Sequence, residues 1–430
     1  MSDLSMARFQ FAYTLIFHMI FAALGVGMPL MMIVAEGLWL RSRQERYRRL
    51  ARTWAKATGI LFAIGAVSGT GISFELGLLW PRFMGYAGST IGPAFALEGF
   101  AFFMEAIFIG LYLYGWERLS PLAHWLCGLV VAISGATSSV LVTAANAWMQ
   151  NPIGAELLAT NPAGLDVAKA LFANPDWAIM TLHSTLSCYV ATAFGLVGVY
   201  AWSLLKGRND EVRQGGLKVA IVVGFLAALT MPITGHVSAR MVAAEQPAKL
   251  AAMESQFVTE QGAPLRIGGI PDVANRRVYL ALEVPGGLSW LATGDWNAVV
   301  AGLDRLPPAD WPNVPLVHLS FQLMVAVSGI TPLVGLWYLW RVSRNREPVS
   351  GRGLLRALVI ASPLGFLALE AGWMVTEVGR QPWTIYHGVM RTSSAVTPAV
   401  GLAWTLAGFV LLYLLLGSVL VALLSRLRHA

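Results

Sequence analysis

Charge is scarce in this chain. Asp, Glu, Lys and Arg make up 12% of its 430 residues, about half of the roughly 25% that soluble domains carry. That shortage argues against an ordinary water-soluble enzyme and excludes a disordered, self-repelling polypeptide. Cysteine is nearly missing as well. The two present, Cys127 and Cys188, sit inside apolar stretches with no CxxC or CxxCH spacing, which excludes a disulfide scaffold, a zinc module and covalently attached haem, and leaves both as packing residues. No internal repeat is visible. What fills the space is hydrophobic: 56% of residues, with 43 glycines besides, and a mean hydropathy of +0.62. No soluble architecture hides that much apolar surface, so the lipid bilayer is the expected solvent. The net charge of +7 is no nucleic-acid signal, because the basic residues lie in connections with a strong side preference.

Apolar runs of membrane-spanning length fall near residues 9–40, 56–79, 94–116, 123–147, 177–205, 217–234, 313–340, 354–376 and 400–425, predicting an all-α bundle of nine transmembrane helices. Lys and Arg in alternate short connections divide 19 to 5, which places the N-terminus on the periplasmic side and the C-terminus in the cytoplasm. The first span is too long for a signal-peptide core and is expected to be retained. Two outer segments exceed turn length, 148–176 and 235–312. The chain thus divides into helices 1–6 (1–234), a long outer loop (235–312) and helices 7–9 (313–430). Nine is an odd number for two inverted halves, an argument against a secondary transporter.

Ionisable residues inside apolar spans are functional candidates, because lipid penalises them. They are His18, Glu75, Glu98, Glu105, His183, Glu370 and Glu377. Each histidine taken alone reads as a hydrogen-bonded structural residue. His18, His183 and Glu377, however, fall at similar depth toward the outer leaflet, where imidazole suits iron, copper or zinc. Met324 lies at the same depth, and a His/Met pair raises the potential of a haem, although most of the 16 methionines are packing residues. His124 and His429 read as having no metal role, while His236, His318 and His387 are ambiguous. Glu98 and Glu105 are seven residues apart and face one direction on a helix; they suit a proton relay or, alternatively, a buried protonated pair. Glu370 and Glu377 repeat the spacing with Trp373 between them. Arg380 just beyond can pair with a carboxylate or a haem propionate, or snorkel to lipid headgroups. Lys249 and Glu254 read, unaided, as a solvated pair.

In order along nearly the whole chain, certain motifs resemble subunit I of cytochrome bd-type quinol oxidases. They are Arg8-Phe9-Gln10-Phe11-Ala12 with His18, Leu97-Glu98-Gly99 with Phe103-Met104-Glu105, Gly115-Trp116-Glu117-Arg118, Asn146-Ala147-Trp148-Met149-Gln150-Asn151-Pro152, Glu370-Ala371-Gly372-Trp373 and Gly379-Arg380-Gln381-Pro382-Trp383. The resemblance implies that His183 and Met324 are axial ligands of a low-spin haem b. It further implies that His18 and Glu377 serve a paired oxygen-reducing centre of high-spin haem b and a haem d or third haem b. Glu98 and Glu105 match its proton route, Trp373 and Arg380 neighbours of the haems, and Lys249 and Glu254 quinol-site residues of a periplasmic Q-loop at 235–312. Implied partners are a second membrane subunit, a small single-helix subunit, ubiquinol or menaquinol, and dioxygen, in a bacterial inner membrane, with no nucleic acid. Two departures resemble the cyanide-insensitive branch: the Q-loop is of the shorter type, and Gln322 stands where many members have Arg, removing a positive charge near the low-spin haem. The expected activity is quinol oxidation outside and dioxygen reduction to water, separating charge without pumping. The competing readings are a proton-coupled transporter using Glu98 and Glu105, and a non-catalytic membrane scaffold, for which buried acids would be needless.

Overall fold

The computed structural model describes residues 3–344, 351–396 and 401–427. His429 lies outside them. Among the described residues nine helical segments are long and apolar enough to cross a membrane. They are α1 (Asp3–Ser42), α2 (Glu45–Leu79), α3 (Pro81–Tyr114), α4 (Pro121–Gln150), then, past the short α5 (Ala155–Thr160) and α6 (Val167–Phe172), α7 (Pro175–Leu205) and α8 (Glu211–Glu245). After α9 (Pro247–Met253) and α10 (Gly287–Thr293) come α11 (Val314–Ser343), the eighth span formed by α12 (Arg352–Ala361) and α13 (Leu364–Val378), a turn at α14 (Thr392–Ala395), and α15 (Leu402–Leu427).

The spans agree with expectation in number, but several run past their expected ends. The basic stretch 41–56, expected as a connection, is instead the start of α2, leaving only Arg43 and Gln44 between helices. Hydropathy marks the hydrocarbon layer, whereas helix propensity continues beyond it, and arginines are good helix formers. Here they are also anchored: Arg52 lies 4.9 Å from the Trp116 ring centre and Arg48 5.3 Å from that of Trp39, and both pair with Glu117. For the same reason α3 begins at Pro81 rather than near 94, and α8 continues to Glu245, past the expected boundary at 234. The eighth span is broken, not continuous. Pro363 has no N–H to offer and closes α12, and the Ser362 hydroxyl turns to the carbonyl of Gly195 on α7 (3.4 Å).

Outside the helices the chain forms three short antiparallel pairs. β1 (Glu260–Gln261) pairs with β4 (Val299–Val300), β5 (Trp383–Ile385) with β6 (Met390–Arg391), and β2 (Leu265–Asp272) with β3 (Arg277–Val284) in a hairpin running from Leu265 opposite Val284 to Asp272 opposite Arg277. Asp272 closes the turn by accepting from the Asn275 amide (3.1 Å). All these pairs gather at the face where α1 begins.

The bundle is held by close apolar contact. One cluster joins α1, α2 and α3 through Met28, Met31, Trp54 and Tyr112, and another joins α7, α8 and α12 through Phe194, Ala220 and Leu358. Nearest the site, Ala23 and Val26 of α1 meet Cys188 and Ala191 of α7 and Leu369 of α13, with Met19 and Trp373 against them. Cys188 is buried and free, Cys127 half-buried and free, both as packing residues. At this junction α7 and α13 approach main chain to main chain: a Cβ on Gly365 would lie 2.7 Å from the Ala191 Cα.

Candidate functional site

The two intramembrane histidines are built alike. His18 Nδ1 lies 2.9 Å from the hydroxyl of Ser68 on α2, and His183 Nδ1 lies 2.9 Å from that of Thr234 on α8. In both cases the residue after the hydroxyl is glycine, and the ring lies over it. A Cβ would meet His18 Cε1 at 3.1 Å from Gly69, and His183 Cε1 at 3.5 Å from Gly235. A hydroxyl fixes one ring nitrogen, a missing side chain makes room for the ring, and Nε2 has no hydrogen bond among the described residues. An orienting contact on one nitrogen with the other left to bind is what a metal-ligating imidazole requires.

The remaining described histidines divide clearly. His124 uses both nitrogens, on Glu36 Oε1 (2.7 Å) and the Tyr112 carbonyl (2.8 Å). His318, ambiguous from sequence, also uses both, on the carbonyls of Met253 (2.8 Å) and Gly268 (3.1 Å). It is a clamp for the outer segment, not a ligand. Among the described residues His236 and His387 have no hydrogen-bond partner; His387 sits against the Tyr386 ring, 4.8 Å between centroids.

Met324 of α11 reaches α13, where its sulfur would lie 3.2 Å from a Cβ on Gly372. Five residues on, near the end of that helix, Glu377 has both oxygens engaged. Asn146 Nδ2 donates to Oε1 (2.6 Å), and Arg380 pairs with Oε2. Each oxygen keeps a second lone pair, and the buried arginine fixes the carboxylate in place. Arg380 thus pairs with a carboxylate rather than snorkelling. Trp373 packs at the junction of α1, α7 and α13. Helices carrying His18, His183 and Glu377 therefore meet there, with Met324 of α11 against Gly372 of the same α13.

The carboxylates along α3 face α4 and each other. Glu98 is half-buried beside Ser138; Glu105 is buried within electrostatic reach of Glu98, and its Oε1 has no partner among the described residues. Glu75 is fully buried, taking bonds from Gln10 (2.9 Å) and Thr14 (3.0 Å). The intramembrane acid missed in the sequence is Glu36, fully buried against His124. Its partner stands 88 positions away, and the only local signal was a carboxylate in an apolar run.

Lys249 and Glu254 require a correction. Neither is solvated: each is 4% exposed. Lys249 Nζ donates to Gln150 Oε1 at the end of α4, and its stem lies against Gly379. Burial, with Arg380 acting in the same direction, pushes the Lys249 ammonium down to about 7, against the opposing pull of Glu377 and Asp176. Burial raises the Glu254 carboxyl to about 8, opposed by Arg266. Its Oε2 has no partner among the described residues. A carboxyl so placed can take up a proton.

Gln322, noted as a missing cation, ties down the β2 strand instead. Its Oε1 accepts from the Gly268 amide and its Nε2 donates to the Arg266 carbonyl, each at 2.9 Å. The cation nearby is Arg266, held by Gln256 (2.7 Å) and Glu283 (3.0 Å).

Comparison with known proteins gives a consistent result. The family described as cytochrome bd terminal oxidase subunit I matches residues 6–430. A putative cytochrome bd menaquinol oxidase subunit I of Bacillus subtilis (strain 168) is 35% identical, over 99% of this chain and 96% of its own length. A cytochrome bd ubiquinol oxidase subunit 1 from the same organism is 33% identical over 99% and 93%. The solved structure of bd oxidase from Geobacillus thermodenitrificans superposes with a TM-score of 0.93 at 35% identity, covering 99% of this chain and 98% of that one.

Proposed function

Because the chain belongs to the family of cytochrome bd terminal oxidase subunit I, we propose how its residues divide the labour of quinol oxidation and dioxygen reduction. The protein is a multi-pass quinol oxidase subunit of the bacterial cytoplasmic membrane; it uses haem and works beside a second subunit. In this reading the face where α1 begins is periplasmic, supported by the 19 to 5 division of Lys and Arg. The match over the whole chain leaves no reason to prefer a transporter.

His183 and Met324 hold the low-spin haem b. His18 and Glu377 hold the paired haems, one a high-spin b and the other a d or a third b. When bound, these groups supply electron transfer and the reduction of dioxygen. The observation that carries this reading is the repeated Ser/Thr-Gly device beneath His18 and His183: it fixes Nδ1 and leaves Nε2 available. Arg380 keeps Glu377 in place, and Trp373 fills the junction and excludes water. Glu98 and Glu105 pass protons inward from the cytoplasmic side. Lys249 and Glu254 bind quinol and accept its protons, which leave on the periplasmic side, so charge is separated without pumping.

Removing either hydroxyl tests the device. Ser68→Ala and Thr234→Ala are each expected to weaken retention of one haem roughly tenfold, the lower end for loss of an orienting contact. Reduced-minus-oxidised spectra of the purified complex check this; wild-type protein with no haem bands would end the reading altogether. A second test uses pH. With its carboxyl at about 8, Glu254 is mostly protonated at neutral pH and must lose that proton before it can take one from quinol. Quinol kcat/KM is therefore expected to rise with pH up to about 8 and level off above it, and Glu254→Gln to flatten the rise. An unaltered profile in that variant would remove Glu254 from the quinol site.

A further inference from the structure

Between the outer segment and Glu377 runs a chain of side chains that the preceding reading leaves without a role. Lys249 donates to Gln150 Oε1. Gln150 Nε2 lies 3.4 Å from Asn146 Oδ1 and donates to the Thr376 carbonyl (3.2 Å), the residue before Glu377. Asn146 Nδ2 then donates to Glu377 Oε1 (2.6 Å), whose other oxygen is held by Arg380. Gln246 reinforces the junction by donating to the Gln150 main-chain carbonyl (3.4 Å). Lys249, Gln150, Gln246 and Arg380 are at most 4% exposed. Asn146 and Gln150 stand one helical turn apart on α4, so their side chains share one face, and every amide group between cation and carboxylate is committed. A primary amide carries donor and acceptor at opposite ends of a rigid plane, so moving one end of such a chain moves the other.

We infer that Asn146 and Gln150 are positioning residues that couple the quinol-binding segment to the oxygen-reducing centre, by tying the placement of Lys249 to that of the Glu377 carboxylate. The inference rests on the reading of Lys249 and Glu377 given above. Occupation of the quinol side would thereby reset the orientation of a haem-associated carboxylate with no electron passing between them.

The test uses the purified two-subunit enzyme with haem bound, reading quinol KM and, by redox titration, the midpoint potential of the high-spin haem. Gln150→Met is expected to raise KM on the order of tenfold, the loss of one hydrogen bond to a charged group, and to shift that potential, leaving the low-spin haem unmoved. Asn146→Leu should shift the potential with a smaller rise in KM, since Gln150 keeps its bond to the Thr376 carbonyl. The double variant should match Asn146→Leu in potential, since both cut one chain. A raised KM without any shift in potential, or strictly additive shifts, would overturn the coupling. Should Gln150→Met fail to assemble, Gln150→Asn, one methylene too short for Lys249, carries the same expectation and the same refutation. Glu377→Ala is run beside them. An unchanged high-spin signal there would mean that the assignment of Glu377 fails, rather than the bridge.

Discussion

Replacing His183 with alanine is expected to erase the low-spin haem band from the reduced-minus-oxidised spectrum and to lower quinol-driven oxygen uptake by at least ~100-fold, beyond what loss of a mere orienting partner does. The argument is local. Among the described residues His183 is one of two histidines whose second nitrogen is left without a protein hydrogen bond while the first is fixed, here by Thr234. Alanine removes the free ring nitrogen and opens space over Gly235, while the Thr234 hydroxyl keeps its bonds to the Thr230 and Met231 carbonyls. Met324→Leu should act more gently: the fold of α11 against α13 persists, but a potential-raising thioether is lost. His318→Ala supplies the contrast. Both its nitrogens bind main-chain carbonyls of the outer segment, so the spectrum should persist while quinol KM suffers. A persistent low-spin band in His183→Ala would reject the assignment.

Turnover of Glu105→Gln is expected to fall by ~100-fold or more, the lower range for removing a proton-transferring group, with the haem spectrum intact. Glutamine keeps the volume of Glu105 in its buried site and removes only its capacity to give and take a proton. What argues for a transfer role is a buried Oε1 without a partner among the described residues together with a second carboxyl, Glu98, within electrostatic reach two turns along α3. Glu98, half-buried beside Ser138, should show the smaller loss. Oxygen uptake in proteoliposomes, read with charge movement, measures both variants; full-rate turnover in Glu105→Gln would remove it from the route.

The membrane class, the number of spans and the residues worth testing were legible in the sequence because lipid makes them so. A hydrocarbon solvent forces long apolar runs and makes each ionisable residue within them conspicuous. What could not be read was anything set by non-local packing. The burial of Lys249 depends on the end of α4 and on Gly379 folding over a segment that alone looks polar. Gln322 looked like a lost cation because its partners, Arg266 and Gly268, lie more than fifty positions away. The Ser68-Gly69 and Thr234-Gly235 pairs are too common as dipeptides to signal anything until a histidine is seen above each.

The contact of Gly365 with Ala191 bears on how the enzyme can vary. On the proposed assignment of His183 on α7 and Glu377 on α13 to haem, the gap between those stations is set by polypeptide and hardly by side-chain choice, because the two helices touch through their main chains. Tunnelling rates depend steeply on such gaps, so relatives can retune potentials, pockets and quinol preference by exchanging side chains while the electron's path length stays constant. A single added methyl at Gly365 would do the reverse, prising the stations apart while leaving every ligand in place.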